Sequence, residues 1–231
     1  MARPDPHLSV VIPAYNEAAI VEEAIASALS ALSLSSISHE VVLVDDGSSD
    51  GTLAAMRRIE AQNSNVRVVA HEQNRGLGAA LRTGFAACHG EVLTWIPGDG
   101  QFDLRQVLNG LPLMTDHDIV VALRKGVRQS WRVAITWCFH LLTWTLFRFK
   151  ASDLCGIYII RRAVLEQIHP QATNIFYNLE VPILCAKFRK RLAQITVSVL
   201  PRLGGTSKVA NFRTLSRNLL EMIRIRFRRP R

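Results

Sequence analysis

Cysteine is scarce and scattered in this 231-residue chain. Cys88, Cys138, Cys155 and Cys185 form no metal-ligand spacing, which leaves reduced, mostly buried thiols as the expectation. The segment Met1-Ala2-Arg3-Pro4-Asp5-Pro6-His7 lacks the apolar core of a signal peptide, so a cytosolic chain or a cytosolic membrane face is expected. No apolar run reaches the ~20 residues of a membrane-spanning helix. The longest candidate, Val133–Phe147, is too short and is interrupted by Thr136, His140 and Thr143. The first half shows no internal repeat, low-complexity tract or linker. Acidic residues are also in deficit, 19 against 28 Lys and Arg, giving a formal net charge of +9. Hydrophobic residues make up 48% and the mean hydropathy is +0.13, slightly rich for a freely soluble protein. This length fits one large α/β domain with a real core.

Apolar runs alternate with helical patterns along the first hundred residues. Leu8–Ile12, Glu40–Val44, Val66–Ala70 and Val92–Ile96 read as strands. Helices are expected over Ala18–Leu34, Thr52–Gln62 (with Ser49 or Asp50 as cap) and Ala79–Cys88. Strand, helix, strand at this spacing predicts a mostly parallel sheet with crossover helices, and ligands in such sheets bind beyond the carboxyl ends of the strands. The polar clusters fall there: Pro13-Ala14-Tyr15-Asn16-Glu17, Asp45-Asp46-Gly47-Ser48-Ser49-Asp50-Gly51-Thr52, and Pro97-Gly98-Asp99-Gly100-Gln101.

Each cluster taken singly also has a plain structural explanation. Tyr15 and Glu17 would serve a helix start, and Asp45-Asp46 a turn followed by a cap. Gly76 and Gly78 in Asn74-Arg75-Gly76-Leu77-Gly78 are a weak phosphate signal, because no third glycine completes a dinucleotide fingerprint. Asp99, flanked by glycines, offers a carboxylate beyond a strand end, and Gln101 an amide oxygen two residues on. That pair suits a hard divalent cation that keeps waters and grips phosphates.

Taken together, these motifs resemble the family 2 inverting glycosyltransferases, and within them the dolichol-phosphate mannose synthase branch, over roughly residues 8–210. The resemblance implies a GT-A nucleotide-sugar-binding α/β domain over 1–210, and the arginine-rich residues 211–231 read as a separate basic tail. The resemblance further implies that Pro13, Tyr15, Glu17, Val44, Asp46 and Gly98 bind the donor. Asp99 and Gln101 would hold Mg2+ or Mn2+ on its diphosphate. The family usually carries Asp-X-Asp here, and Pro97 stands in place of the first Asp, so diphosphate oxygens and water must supply more of the cation's shell.

In the second half, Ile119–Leu123 is an expected strand ending at Arg124, which resembles the family's phosphate-contacting arginine. Ser152-Asp153-Leu154-Cys155-Gly156 resembles an acceptor-side segment, one residue shorter than usual, before a strand over Ile157–Ile160. A helix over Asn174–Lys187 contains Glu180, and a strand over Gln194–Leu200 follows. The loop Pro201-Arg202-Leu203-Gly204-Gly205-Thr206-Ser207-Lys208 is similar to the family's closing loop, with Arg202 as a bidentate fork and Lys208 as a point charge on phosphates.

Val133–Phe147, flanked by basic residues and holding Trp137 and Trp144, suits either an interfacial helix or an ordinary core helix. The tail carries Arg213, Arg217, Arg224, Arg226, Arg228, Arg229 and Arg231 against Glu221 alone. Its apolar positions Phe212, Leu215, Leu219 and Met222 share a helical face. An anionic membrane surface explains both faces, whereas nucleic acid would explain only the arginines, so no nucleic-acid partner is expected.

The expected reaction is sugar transfer from a nucleotide-sugar donor to a polyprenyl-phosphate acceptor. The alternatives are a family 2 transferase with a saccharide or protein acceptor and a non-catalytic nucleotide-binding module. A sugar hydroxyl acceptor would need a carboxylate base, for which only Asp153 and Glu180 stand out.

Overall fold

A computed structural model describes residues 7–125, 145 and 154–200. The helix expected over Val133–Phe147 (apart from residue 145), Asp153, the loop expected over 201–208 with Arg202 and Lys208, and the 211–231 tail lie outside the described residues. Among the described residues seven strands form one sheet: β1 Leu8–Ala14, β2 His39–Asp45, β3 Val66–Ala70, β4 Val92–Trp95, β5 Ile119–Lys125, β6 Leu154–Arg161 and β7 Leu192–Ser198. Their order across the sheet is β3-β2-β1-β4-β6-β5-β7. β6 alone runs against its neighbours β4 and β5; the other pairings are parallel.

The helices are α1 Val21–Ser33, α2 Thr52–Gln62, α3 Leu77–Ala87, α4 Leu104–Leu108, α5 Arg162–Ile168 and α6 Tyr177–Lys187, with a 3-10 turn over Leu111–Thr115. α1 buries Val21, Ala24, Ile25, Ala28 and Leu32, a stripe at three- and four-residue spacing, and places Glu22 and Glu23 in its first turn where the helix dipole favours them. β1 and β2 are almost continuously buried, as parallel strands covered on both faces must be.

The chain steps from β1 to β2 to β3 in one direction and then returns through α3 to β4 on the far side of β1. Right-handed crossovers therefore put α1 and α2 on one face and α3 on the other. The contacts agree: α1 packs with α2 and α4, while α3 and α5 pack with α6. The reversal makes the carboxyl ends of β1 and β4 the switch point where a crevice opens.

The strand read from the sequence over Leu8–Ile12 ends before Pro13, yet β1 runs through Pro13 to Ala14. The Pro13 carbonyl accepts from Gly98 N on the β4 side, so its missing N–H faces the same way. There the regular strand β4 has already ended at Trp95, and proline, which cannot donate, sits at a strand end where it is tolerated.

No helix among the described residues is long and apolar enough to cross a membrane. Cys88 and Cys185 are buried free thiols, as expected. Burial pushes both up to about 12, aided at Cys88 by the nearby Glu40 charge, so neither is a ready thiolate.

Candidate active site at the carboxyl edge of the sheet

Two consecutive carbonyls of β1 organise the crevice. Ala14 O accepts from Asp46 N at 2.9 Å and Pro13 O accepts from Gly98 N at 3.0 Å. The loops after β2 and β4 thus flank the end of β1, and Tyr15 and Glu17, both half-buried, continue from it. A Cβ on Gly98 would lie 3.0 Å from the Ala14 Cβ, so that loop approaches β1 closely because glycine is there.

The loops after β1 and β2 are stitched together. Asn16, at φ 54, donates its N–H to Ser48 Oγ at 3.0 Å and accepts from Ser49 N at 2.8 Å. Glu17 N donates to Thr52 Oγ1 at 2.9 Å. The cap position of α2 is Gly51, with no side-chain cap, rather than Ser49 or Asp50; Asp50 instead ties the loop, its Oδ1 accepting from Thr52 N and Thr52 Oγ1 and its Oδ2 from Ala18 N. Burial alone would raise the Asp50 pKa, but these donors outweigh it and hold the carboxyl below its ordinary value.

Asp45 and Asp46, adjacent carboxylates, escape mutual repulsion by separate means. Asp46 is 4% exposed, and its Oδ1 accepts from His71 Nδ1 at 2.7 Å and Arg75 N at 3.0 Å, its Oδ2 from Gly76 N at 2.8 Å. Asp45, 1% exposed, takes Ser48 N on Oδ2 at 3.1 Å. Its Oδ1 has no hydrogen-bond partner among the described residues. Such a buried acceptor costs about 1–3 kcal/mol until a donor reaches it.

His71 was not singled out in the sequence. A histidine one residue past β3, on the strand beside an Asp-Asp pair, was the available signal. His71 N continues the ladder onto Asp45 O, its Nδ1 holds Asp46, and its Nε2 lies 2.9 Å from Thr83 Oγ1.

Gly76 and Gly78 have a structural explanation rather than a phosphate-cradling one. A Cβ on Gly76, at φ +90, would meet Thr173 O at 2.8 Å; on Gly78 it would meet the Ala172 and Asn174 carbonyl oxygens at 2.6 Å. The 171–174 segment rests on this turn. It is in turn fixed by Glu180, whose carboxylate accepts from Gln171 N and Ala172 N at 2.7–2.9 Å. Glu180 is 3% exposed and held by these backbone donors, so it is not a general base. Val44 is fully buried, packed where a Cβ on Gly84 of α3 would come within 3.0 Å of its Cγ2. Its side chain belongs to the core, and its backbone lies within the sheet, in register with Pro13 of β1 and Val69 of β3, so the structure does not bring Val44 to the crevice.

Asp99 and Gln101 sit between β4 and the far side of the sheet. Asp99 Oδ1 accepts from Gln101 N at 3.1 Å, bending the turn, with Gly100 at φ +70. Gln101 is bound to the chain leaving β7: Leu200 N donates to Gln101 O at 2.9 Å, Gln101 Nε2 donates to Leu200 O at 3.4 Å, and Phe102 bridges Val199. No group of three His, Cys, Asp or Glu residues that would enclose a metal occurs among the described residues. A single carboxylate with an amide fits a hard cation that takes most of its shell from diphosphate and water, rather than a resident, fully ligated ion. Arg124 is exposed at the carboxyl end of β5, paired in register with Val197 of β7. The structure therefore brings Pro13, Tyr15, Glu17, Asp46, Gly98, Asp99, Gln101 and Arg124 to one edge.

The chain is similar to known proteins in sequence and in fold. The chain is 27% identical to a dolichyl-phosphate beta-glucosyltransferase of Dictyostelium discoideum, covering 96% of this chain and 74% of the relative. It is 29% identical to an undecaprenyl-phosphate 4-deoxy-4-formamido-L-arabinose transferase of Edwardsiella ictaluri, covering 87% of this chain and 62% of that one. Among solved structures, glucosyl-3-phosphoglycerate synthase from Mycobacterium tuberculosis with Mn2+, UDP-glucose and phosphoglyceric acid matches at TM-score 0.69 and 23% identity, covering 96% of this chain and 79% of that one. A mannosyltransferase from Pyrobaculum calidifontis with GDP-Man and Mn2+ matches at TM-score 0.64 and 19% identity, covering 99% and 66%. These likenesses identify the fold as GT-A. The profile described as Glycosyl transferase family 2 matches residues 9–168, more than half of the chain, and the chain belongs to that family.

Proposed function

We propose that the chain is an inverting glycosyltransferase that moves a sugar from a nucleotide-sugar donor to a polyprenyl phosphate at the cytoplasmic surface of a membrane. The observation that carries this reading is the pairing of Asp46 N and Gly98 N on adjacent β1 carbonyls. It sets a nucleoside-side loop and an Asp99-Gln101 turn on either side of one crevice. The curated relatives are named for transfer to dolichyl and undecaprenyl phosphates, which selects the acceptor class.

In this reading Pro13, Tyr15, Glu17 and Asp46 line the nucleoside end, with the backbone of Gly98 completing it. The solved GT-A structures with Mn2+ beside nucleotide or nucleotide sugar support Asp99 and Gln101 as the residues that would hold Mg2+ or Mn2+. Such a cation supplies positive charge to the leaving diphosphate. Arg124 adds charge from β5, and Arg202 and Lys208 would add theirs to the same task.

A polyprenyl monophosphate is an oxyanion at neutral pH and needs no strong base to attack the sugar C1. The C1–O bond to the nucleoside diphosphate breaks as the new phosphate O–C1 bond forms on the opposite side, which inverts that centre. The chain's task is alignment and charge stabilisation. The engagement of Glu180 by backbone donors supports this acceptor over a sugar hydroxyl, which would need a base.

The deciding experiment offers radiolabelled UDP- and GDP-sugars to the full chain with a short polyprenyl phosphate, with and without Mn2+. Expected is an acid-labile, lipid-extractable glycosyl phosphate of inverted configuration. Transfer to a saccharide or protein acceptor only, or nucleotide binding without turnover, would overturn the proposal.

A further inference from the structure

The buried chain Asp46–His71–Thr83 assigns work to a residue outside every motif read from the sequence. We propose that His71 is a positioning residue for the donor: it fixes Asp46, and through it the 75–76 turn, so that the nucleoside end of the crevice is set before the donor arrives. This rests on the function proposed above.

The His71 and Asp46 side chains are 4% and 5% exposed. A carboxylate only accepts, so the 2.7 Å contact places the proton on Nδ1. Nε2, 2.9 Å from Thr83 Oγ1, accepts from that hydroxyl in the neutral ring. Both ring nitrogens are engaged, and the ring cannot flip without breaking two bonds. Asp46 also receives Arg75 N and Gly76 N. Three donors from two segments thus hold one carboxylate, and only His71 among them is a side chain that can be altered without moving the backbone donors. Thr83 borders a groove of about 610 Å³ between α3 and α5, so its hydroxyl can be removed without overfilling the core.

Substitutions that imitate one ring nitrogen at a time separate this role from general packing. His71→Asn retains a donor near the Nδ1 position, whereas His71→Gln places its amide near Nε2. Binding of UDP and of GDP is measured by calorimetry, and donor KM and kcat in the transfer assay, on the full chain. His71→Ala and His71→Gln are expected to weaken nucleotide binding and raise donor KM by about tenfold, the scale of one charge-assisted hydrogen bond, with kcat little changed. His71→Asn is expected to restore most of the loss. Thr83→Val, which leaves His71 in place, is expected to raise donor KM by about threefold.

A purely structural histidine would lower the melting temperature equally in the Asn and Gln variants and leave nucleotide affinity of the folded protein unchanged, which overturns the inference. If His71→Ala does not fold, the Asn, Gln and Thr83→Val variants decide the matter by the same readouts. Binding of neither nucleotide by the parent chain would overturn the functional reading, and the role of His71 with it. Tight binding by the parent and by all variants alike would overturn the role of His71 alone.

Discussion

Gly78 lies so close beneath Asn174 that a Cβ on it would approach the Asn174 carbonyl oxygen to 2.6 Å, and the Ala172 oxygen equally closely. The start of α3 and the segment before α6 are pressed together backbone to backbone, and no side-chain rotation can relieve an added methyl. Gly78→Ala should therefore cost about 1–3 kcal/mol, a fall in melting temperature of about 2–4 °C for each kcal/mol in a chain of this size. Thermal denaturation checks it; an unchanged melting temperature would mean the 172–174 segment yields freely.

Glu180→Gln should destabilise the fold by roughly 3 kcal/mol, because the backbone donors at Gln171 and Ala172 lose their charged acceptor and meet an amide NH2 instead. Transfer by the remaining folded protein should persist. Loss of turnover in a fully folded Gln variant would reinstate Glu180 as a base.

Glu40 ties the amino edge of the sheet together. Its carboxylate accepts from Ser9 Oγ at 2.7 Å, from the His89 backbone and from Arg67 Nη2 at 3.1 Å. Burial alone would raise its pKa, but these partners outweigh it and hold it below the ordinary value of 4.5. The lowered folded-state pKa means the stabilisation is present above about pH 4.5 and is lost as pH falls through the folded value. Urea midpoints of parent and Glu40→Gln should differ most near neutrality and converge in acid. A constant offset across that range would refute the assignment.

Asp99→Asn should reduce turnover by about a hundredfold or more, the scale of losing an electrostatic partner of a leaving group. Binding of the free nucleoside should change little. Both are measured in chelator-treated buffer with Mn2+ added back. Equal turnover of variant and parent would remove Asp99 from the metal role.

Deleting residues 212–231 should release the protein from anionic vesicles and raise the requirement for polyprenyl phosphate, while nucleotide affinity stays put. Salt should weaken binding of the full chain only in part, since the arginines are screened and the apolar side chains of Phe212, Leu215, Leu219 and Met222 are not. Undiminished vesicle binding by the truncated chain would leave the tail without a membrane role.

The strand pattern was legible because parallel strands buried on both faces read as continuous apolar runs: Val66–Ala70 agrees residue for residue, and the other first-half strands to within two residues. The edge chemistry was legible because glycines and carboxylates cluster after those runs. What sequence spacing could not show was contact between distant segments. Gly76 and Gly78 are glycine because residues 172–174 lie against them, nearly a hundred positions later. Glu180 looked like a free carboxylate until its backbone donors were placed. His71 carried no motif, since its meaning comes from two partners on different elements. Pro13 looked like a terminator because its ladder position, beyond the end of β4, is a property of the sheet.

The contact of the 75–78 turn with the 171–174 segment has a bearing on how the molecule opens. The family profile ends at residue 168, yet the floor of the proposed nucleoside pocket leans on residues beyond it, and these are secured in turn by α6. A fragment cut at the profile's end would expose the backbone of Gly76 and Gly78 and strand the amide of Ala79, which donates to Thr173 O. The two regions therefore belong to one cooperative unit. Hydrogen exchange at Ala79 and at Ala172 should follow a common opening rather than separate local ones.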